Sequence, residues 1–167
     1  MASKSSSVKT AVQSYRGLLL DTNLLILLVA GLLSNQKIST FKRTNSFIPQ
    51  DFDVLQQIIA QSKQLFTTPN ILTEATNLLD AELLPILSIL TKNLIENYLP
   101  SIEIMSFDPN CYLKFGLSDA VLRKVAEDDI MVLTVDAPFY HYASNLGLPV
   151  YNFNHVRQSY ILPQKKY

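Results

Sequence analysis

The sequence is poor in several of the residues that carry chemistry on their own. It has a single cysteine, Cys111, so no disulfide can form within the chain, which fits a reducing cytosol. No capping or basic context marks Cys111 as a nucleophile. The two histidines, His141 and His155, have no neighbouring Cys or His, which argues against a zinc site. An excess of charge of one sign is also missing. Lys and Arg total 14, as do Asp and Glu, so there is no general attraction to nucleic acid, and only local patches of either sign remain. The longest apolar run, residues 24–33, is ten residues long, too short to span a bilayer. The first ten residues are Ser- and Lys-rich without an apolar core, unlike a secretory signal. We expect a cytoplasmic protein with no membrane association. There is no internal repeat, and no low-complexity segment beyond those first ten residues.

What is present is enough for a core. The chain has 167 residues, 48% of them hydrophobic, which suits one domain with some decoration. We divide it into a flexible tail (1–14), a domain (15–154) and a C-terminal tail (155–167). The centre of the domain is Leu18-Leu19-Leu20-Asp21-Thr22-Asn23. Three leucines read as a strand buried on both faces, the polar triplet as its tip, and residues 24–33 as a buried helix. Residues 34–50 read as a long exposed loop whose Lys37, Lys42 and Arg43, with Phe41 and Phe47, are candidates for tracking and stacking RNA; a solvated loop is the plainer account. A helix follows over 51–64 and a strand over 65–67. The next helix has Thr68 as N-cap and Pro69 at its first position. Residues 82–98 read as helix, Ile102, Ile104 and Met105 as strand, and 109–115 as a helical turn. A helix capped by Ser118 leads to a second buried strand over 130–135, a helix over 137–146 closed by Gly147, and a last strand over 149–153. Alternating strands and helices predict an α/β fold with a mostly parallel sheet and helices on both faces.

Four carboxylates stand out by position. Asp21 and Asp136 end the two buried strands, where open α/β sheets bind ligands. Glu74 and Asp119 lie on helices at the margin of the buried face. A buried carboxylate needs a compensating partner, either a helix N-terminus or a metal ion. Four acids converging on one cleft would raise each other's pKa values. A hard cation such as Mg²⁺ or Mn²⁺ resolves this and leaves room for phosphate oxygens. The chemistry favoured is attack of water on a phosphodiester.

The motifs L-L-L-D-T-N (18–23), T-T-P-N-I-L-T-E-A-T-N-L-L (67–79), L-S-D-A-V-L-R-K-V (117–125) and M-V-L-T-V-D-A-P-F (131–139) resemble, in order, the four motifs of PIN-domain nucleases. The resemblance implies a three-layer PIN-like fold and a Mg²⁺- or Mn²⁺-dependent endoribonuclease acting on single-stranded or structured RNA. It makes Asp21, Glu74, Asp119 and Asp136 the metal-binding acidic quartet, with Asn23 or Thr22 as a polar helper. Small members of this family are often toxins held by an antitoxin protein, and many are homodimers. Ala137 and Pro138 stand where the fourth motif often has a further acidic or polar residue.

Each acid also has a structural reading. Asp21 and Asp136 suit helix caps, Asp119 suits a helix first turn, and Glu74 suits a solvated edge. A second hypothesis is therefore a non-catalytic PIN-like module that binds RNA or protein. A third, a phosphohydrolase with Asp21 as nucleophile, lacks the usual second Asp, because Asn23 stands there. Arg123 and Lys124 share a helix with Asp119 and are candidates to contact phosphate, or to balance the acids. Tyr140, His141 and Tyr142 form a short run that suits an interface or a helix packed on the sheet.

Overall fold

The computed structural model describes residues 4–161. Five short strands, Gly17–Leu20 (β1), Leu65–Thr67 (β2), Leu94–Glu96 (β3), Ile130–Thr134 (β4) and Val150–Asn152 (β5), form one sheet in the order β3-β2-β1-β4-β5. Every pairing is parallel. β1 and β4 are buried along their whole length, the pattern of parallel strands covered on both faces. Leu18 pairs with Met131, Leu19 with Val132 and Leu20 with Leu133. Since side chains alternate along a strand, this register sorts Leu18, Leu20, Met131 and Leu133 into one core and Leu19, Ile130 and Val132 into the other.

The helices are Lys4–Val12 (α1), Thr22–Leu33 (α2), Asn35–Thr40 (α3), Pro49–Gln61 (α4), Pro69–Leu78 (α5), Leu84–Thr91 (α6), Ser101–Phe107 (α7), Pro109–Phe115 (α8), Leu117–Ala126 (α9), Ala137–Asn145 (α10) and Phe153–Ile161 (α11). Those of α1, α3, α4 and α11 pack on the Leu18 face, and those from α5 to α10 on the Leu19 face. α2 serves both: Leu24, Leu27 and Leu28 join the first core, and Leu25, Ile26 and Val29 the second. The result is the three-layer α/β architecture expected of a PIN-like fold. Among the described residues, no helix is long and apolar enough to cross a membrane.

Several segments differ from the sequence expectation. Residues 4–12 are helical rather than a tail, because Val8 and Val12, one turn apart, are buried against the Leu18 face. The tail expected from 155 is helix to 161, held by buried Val156 and by the ion pair of Arg157 with buried Asp51 at 2.8 Å. The first three and the last six residues lie outside the described ones.

Residues 34–50 are not a loop. Ser34 accepts a hydrogen bond from Lys37 N at 3.0 Å and caps α3. Ile38, Phe41, Thr44 and Phe47 are all buried, one every three residues, so a thin apolar stripe runs through a polar segment. Phe41 and Phe47 are therefore core residues and cannot stack on bases. Lys37 is also engaged, in ion pairs with Asp80 and Glu82. Residues 101–107 are helix rather than strand: only Ile104 is buried, while Ile102 is 81% exposed. The strand β3 lies within the stretch read as helix; it pairs with β2 alone and its side chains are half-buried or exposed.

Candidate functional site

The chain leaves β1 for β2 and β3, then returns to lay β4 on the other side of β1. Strand order reverses between β1 and β4, and in such sheets the crevice beyond the carboxyl ends of the two strands is where ligands bind. Asp21 directly follows β1. It is 6% exposed and caps α2, accepting a hydrogen bond from Leu24 N at 2.8 Å on Oδ1. Its Oδ2 accepts from Thr134 Oγ1 and Val135 N, both at 2.7 Å. Asp136, beyond β4, caps α10 by accepting from Phe139 N at 2.8 Å. The structural reading of both acids as caps therefore holds, and it places them side by side. Thr134 ties them together, because its Oγ1 donates to Asp21 and accepts from Asp136 N at 3.0 Å.

The other two acids enter from helices. Glu74, exposed on α5, accepts from Thr22 Oγ1 at 2.8 Å and Ser118 Oγ at 3.2 Å, both on Oε2. Ser118 is not the cap of α9. The helix begins one residue earlier, and Gly116, at φ 92°, holds the cap position, a conformation glycine adopts without strain. Asp119 lies in the first turn of α9, half-buried. Asp21, Glu74, Asp119 and Asp136, together with Thr22, Asn23, Ser118 and Thr134, line one cleft of about 270 Å³. Among the described residues, no Lys, Arg or His side chain lines it.

The electrostatics follow from this composition. Burial, then the charges of Asp136, Asp21 and Glu74, push the Asp119 carboxyl up to about 7. Burial also raises the Asp21 carboxyl, against the three hydrogen bonds that favour its charged form. The donor set is all oxygen, as a hard cation requires. Among the described residues, Asp119, Asp136 Oδ2 and Glu74 Oε1 accept no hydrogen bond, so these oxygens are free to take one up. As they stand, however, no three His, Cys, Asp or Glu side chains among the described residues are grouped closely enough to hold a metal ion.

The remaining candidates fall elsewhere. Asn23 lines the cleft but is exposed, and it is Thr22 that bonds an acid. Arg123 pairs with Asp108 and Glu127, and Lys124 with Glu127, so both balance acids away from the cleft. Cys111 is buried, and burial pushes its thiol up to about 11, the opposite of a reactive cysteine. A larger hollow of about 700 Å³ lies at the amino ends of β1, β4 and β5, walled by Tyr15, Tyr140 and Tyr151. Its acids are exposed, and Glu127 is already ion-paired, so size alone does not make it the better site.

Sequence reasoning missed Thr134 and gave Ser118 the wrong task. The available signal was position: Thr134 is a polar residue at the end of an otherwise apolar buried strand, where only a hydrogen-bonding duty offsets its burial. No family model matches the chain, and neither a curated protein nor a solved structure matches it significantly.

Proposed function

We propose that this protein is a divalent-metal-dependent endoribonuclease, hydrolysing RNA phosphodiesters at the cleft between β1 and β4. The observation that carries the reading is the gathering of four carboxylates at the strand-order reversal with no basic side chain of the described residues among them. Such a cleft repels a phosphodiester unless a cation intervenes. Asp119, Asp136 and Glu74 have free oxygens to hold Mg²⁺ or Mn²⁺, with Asp21 as the buried anchor. When bound, such an ion lowers the pKa of a bound water and offsets charge on the phosphodiester. The chain's own groups orient the acids: Thr134 fixes Asp21 and the start of the Asp136 segment, while Thr22 and Ser118 hold one oxygen of Glu74. Control by an antitoxin and dimer formation rest on the family resemblance alone.

The test is cleavage of a mixed-sequence single-stranded RNA in Mn²⁺, in Mg²⁺ and in chelator, with Asp119→Asn beside the wild type. Asp119 is the better choice than Asp21, because its carboxylate accepts no hydrogen bond from the described residues and its loss breaks no cap. We expect metal-dependent cutting that Asp119→Asn reduces by roughly 100-fold or more, the scale of losing one key electrostatic group. Undiminished cutting by that variant would sink the assignment.

One observation favours a second reading, a PIN-like module that binds without cutting. Asp21 already has three internal donors, and among the described residues no three acids stand close enough for a metal. Titration calorimetry with Mn²⁺ separates the two, since a folded protein that takes up no metal belongs to the second.

A further inference from the structure

A second groove, of about 450 Å³, shares Glu74, Leu117 and Ser118 with the acidic cleft and continues from it. One wall is α5, whose Asn70, Thr73 and Asn77 recur at helical spacing on the groove side. The opposite wall is the segment from β3 into α7, with Tyr98, Leu99 and Ser101. Tyr98 is 73% exposed, although an aromatic ring is normally buried in part for the apolar area it hides. Asn70 and Asn77 have no hydrogen-bond partner among the described residues, so both amides are available to a ligand. Apart from Glu74, shared with the cleft, no charged residue among the described ones lines the groove.

This composition selects its ligand. A phosphate finds no cation here, and a purely apolar ligand would leave the amides unpaired. A flat, neutral group with donors and acceptors on its edge meets both requirements: amides read the edge and a tyrosine stacks on the face. The volume falls in the range of small-ligand sites, roughly 300–1,000 Å³. The geometry points to a nucleobase subsite in which Asn70, Asn77 and Tyr98 hold an unpaired base of the strand whose backbone crosses the acidic cleft. The inference rests on the nuclease reading for the direction of the strand. It also explains how an acidic cleft without basic residues would retain a polyanion, since much of the binding comes from bases rather than phosphates.

The experiment is fluorescence anisotropy with the full chain in Ca²⁺, comparing a short single-stranded RNA with an abasic oligonucleotide of the same length. Wild type, Asn77→Ala, Tyr98→Ala and Tyr98→Phe are run together; both positions are exposed, so the fold tolerates the changes. We expect the wild type to prefer the base-bearing strand by about tenfold or more, the scale of one stacked base. Tyr98→Ala and Asn77→Ala should each reduce that preference while leaving the abasic affinity alone, and Tyr98→Phe should keep most of it. Equal affinity for both strands, or variants that change nothing, would overturn the subsite. Cleavage of the same strands in Mn²⁺ is recorded in parallel. Cutting without base preference removes the subsite and leaves the nuclease; base preference without cutting keeps the subsite and removes the nuclease.

Discussion

At the scale of single residues, Asp21 and Asp119 make opposite contributions although both are acids of one cleft. Asp21 receives backbone N–H donors on both oxygens, Leu24 N on Oδ1 and Val135 N on Oδ2. Whichever way an asparagine at this position turns, its NH₂ faces one of those N–H groups. Asp21→Asn should therefore lower stability by about 1–3 kcal/mol, the cost of a buried donor left unpaired. Asp119 has no such partner, and its carboxyl is raised from 3.8 to about 7 by burial and by its acidic neighbours. The unfolded chain releases this proton near pH 4, whereas the folded chain holds it to about pH 7. Over that window the folded state binds more protons, so this group's contribution to stability falls as pH rises, and its full penalty is present above pH 7. We expect metal-free Asp119→Asn to match wild type near pH 4 and to exceed it near pH 8 by about 1–3 kcal/mol, after discounting for partial exposure. Urea unfolding at the two pH values measures this directly, and an unchanged difference between wild type and variant would mean that neither burial nor the neighbouring acids raise the Asp119 carboxyl.

At the scale of elements, the site-bearing pieces were legible and the covering pieces were not. β1, β4 and α5 announce themselves because apolar runs meet a capping residue at each turn: Asp21, Thr68 and Asp136 all accept from a backbone N–H as the sequence suggests. The pieces that were misread carry weak periodicity. α1 shows Val8 and Val12 as its buried apolar residues among those described, the segment after α2 spaces its core residues by three, and β3 is a three-residue edge strand whose side chains are half-buried or exposed. Tertiary contacts decide such segments, and a single sequence does not display them. Packing between α2 and α4 gives a case where local and tertiary terms disagree. An ideal Cβ at Gly31 would lie 2.2 Å from Phe52 Cδ2, so the helices approach through that glycine. Replacing glycine by alanine favours a helix by up to about 1 kcal/mol, but overpacking a core costs about 1–3 kcal/mol. Gly31→Ala should therefore destabilise, and Phe52→Leu in the same chain should restore part of the loss. Denaturant midpoints decide it, and a more stable Gly31→Ala would show that the two helices are free to separate.

At the scale of the whole molecule, the topology was legible because strands and helices alternate, but the reversal of strand order between β1 and β4 was visible only in the fold. That reversal brings Asp21 and Asp136 together although they stand 115 positions apart in the sequence, 136 minus 21. It also places the acids on the one edge where backbone and helix caps converge, while net charge over the chain is zero. Exposed cations lie elsewhere, among them Lys42 and Arg43 beside buried Phe41. Two routes for an RNA strand follow, and they differ in salt dependence. No basic side chain of the described residues lines the acidic cleft or its neighbouring groove, so a strand there has at most one or two phosphates neutralised, by basic groups beyond those walls. With a slope of about −0.7 per phosphate for single strands, affinity should then fall by only about 3- to 7-fold between roughly 50 and 200 mM salt at constant divalent ion. A strand lying on the exposed lysines and arginines would neutralise five or more phosphates and lose about 100-fold over the same range. We expect the shallow dependence, with removal of the divalent ion weakening binding more than added salt does. A steep slope that ignores the divalent ion would move the RNA path from the cleft to the basic surface, and the four acids would then be helix caps and edge residues rather than a shared site.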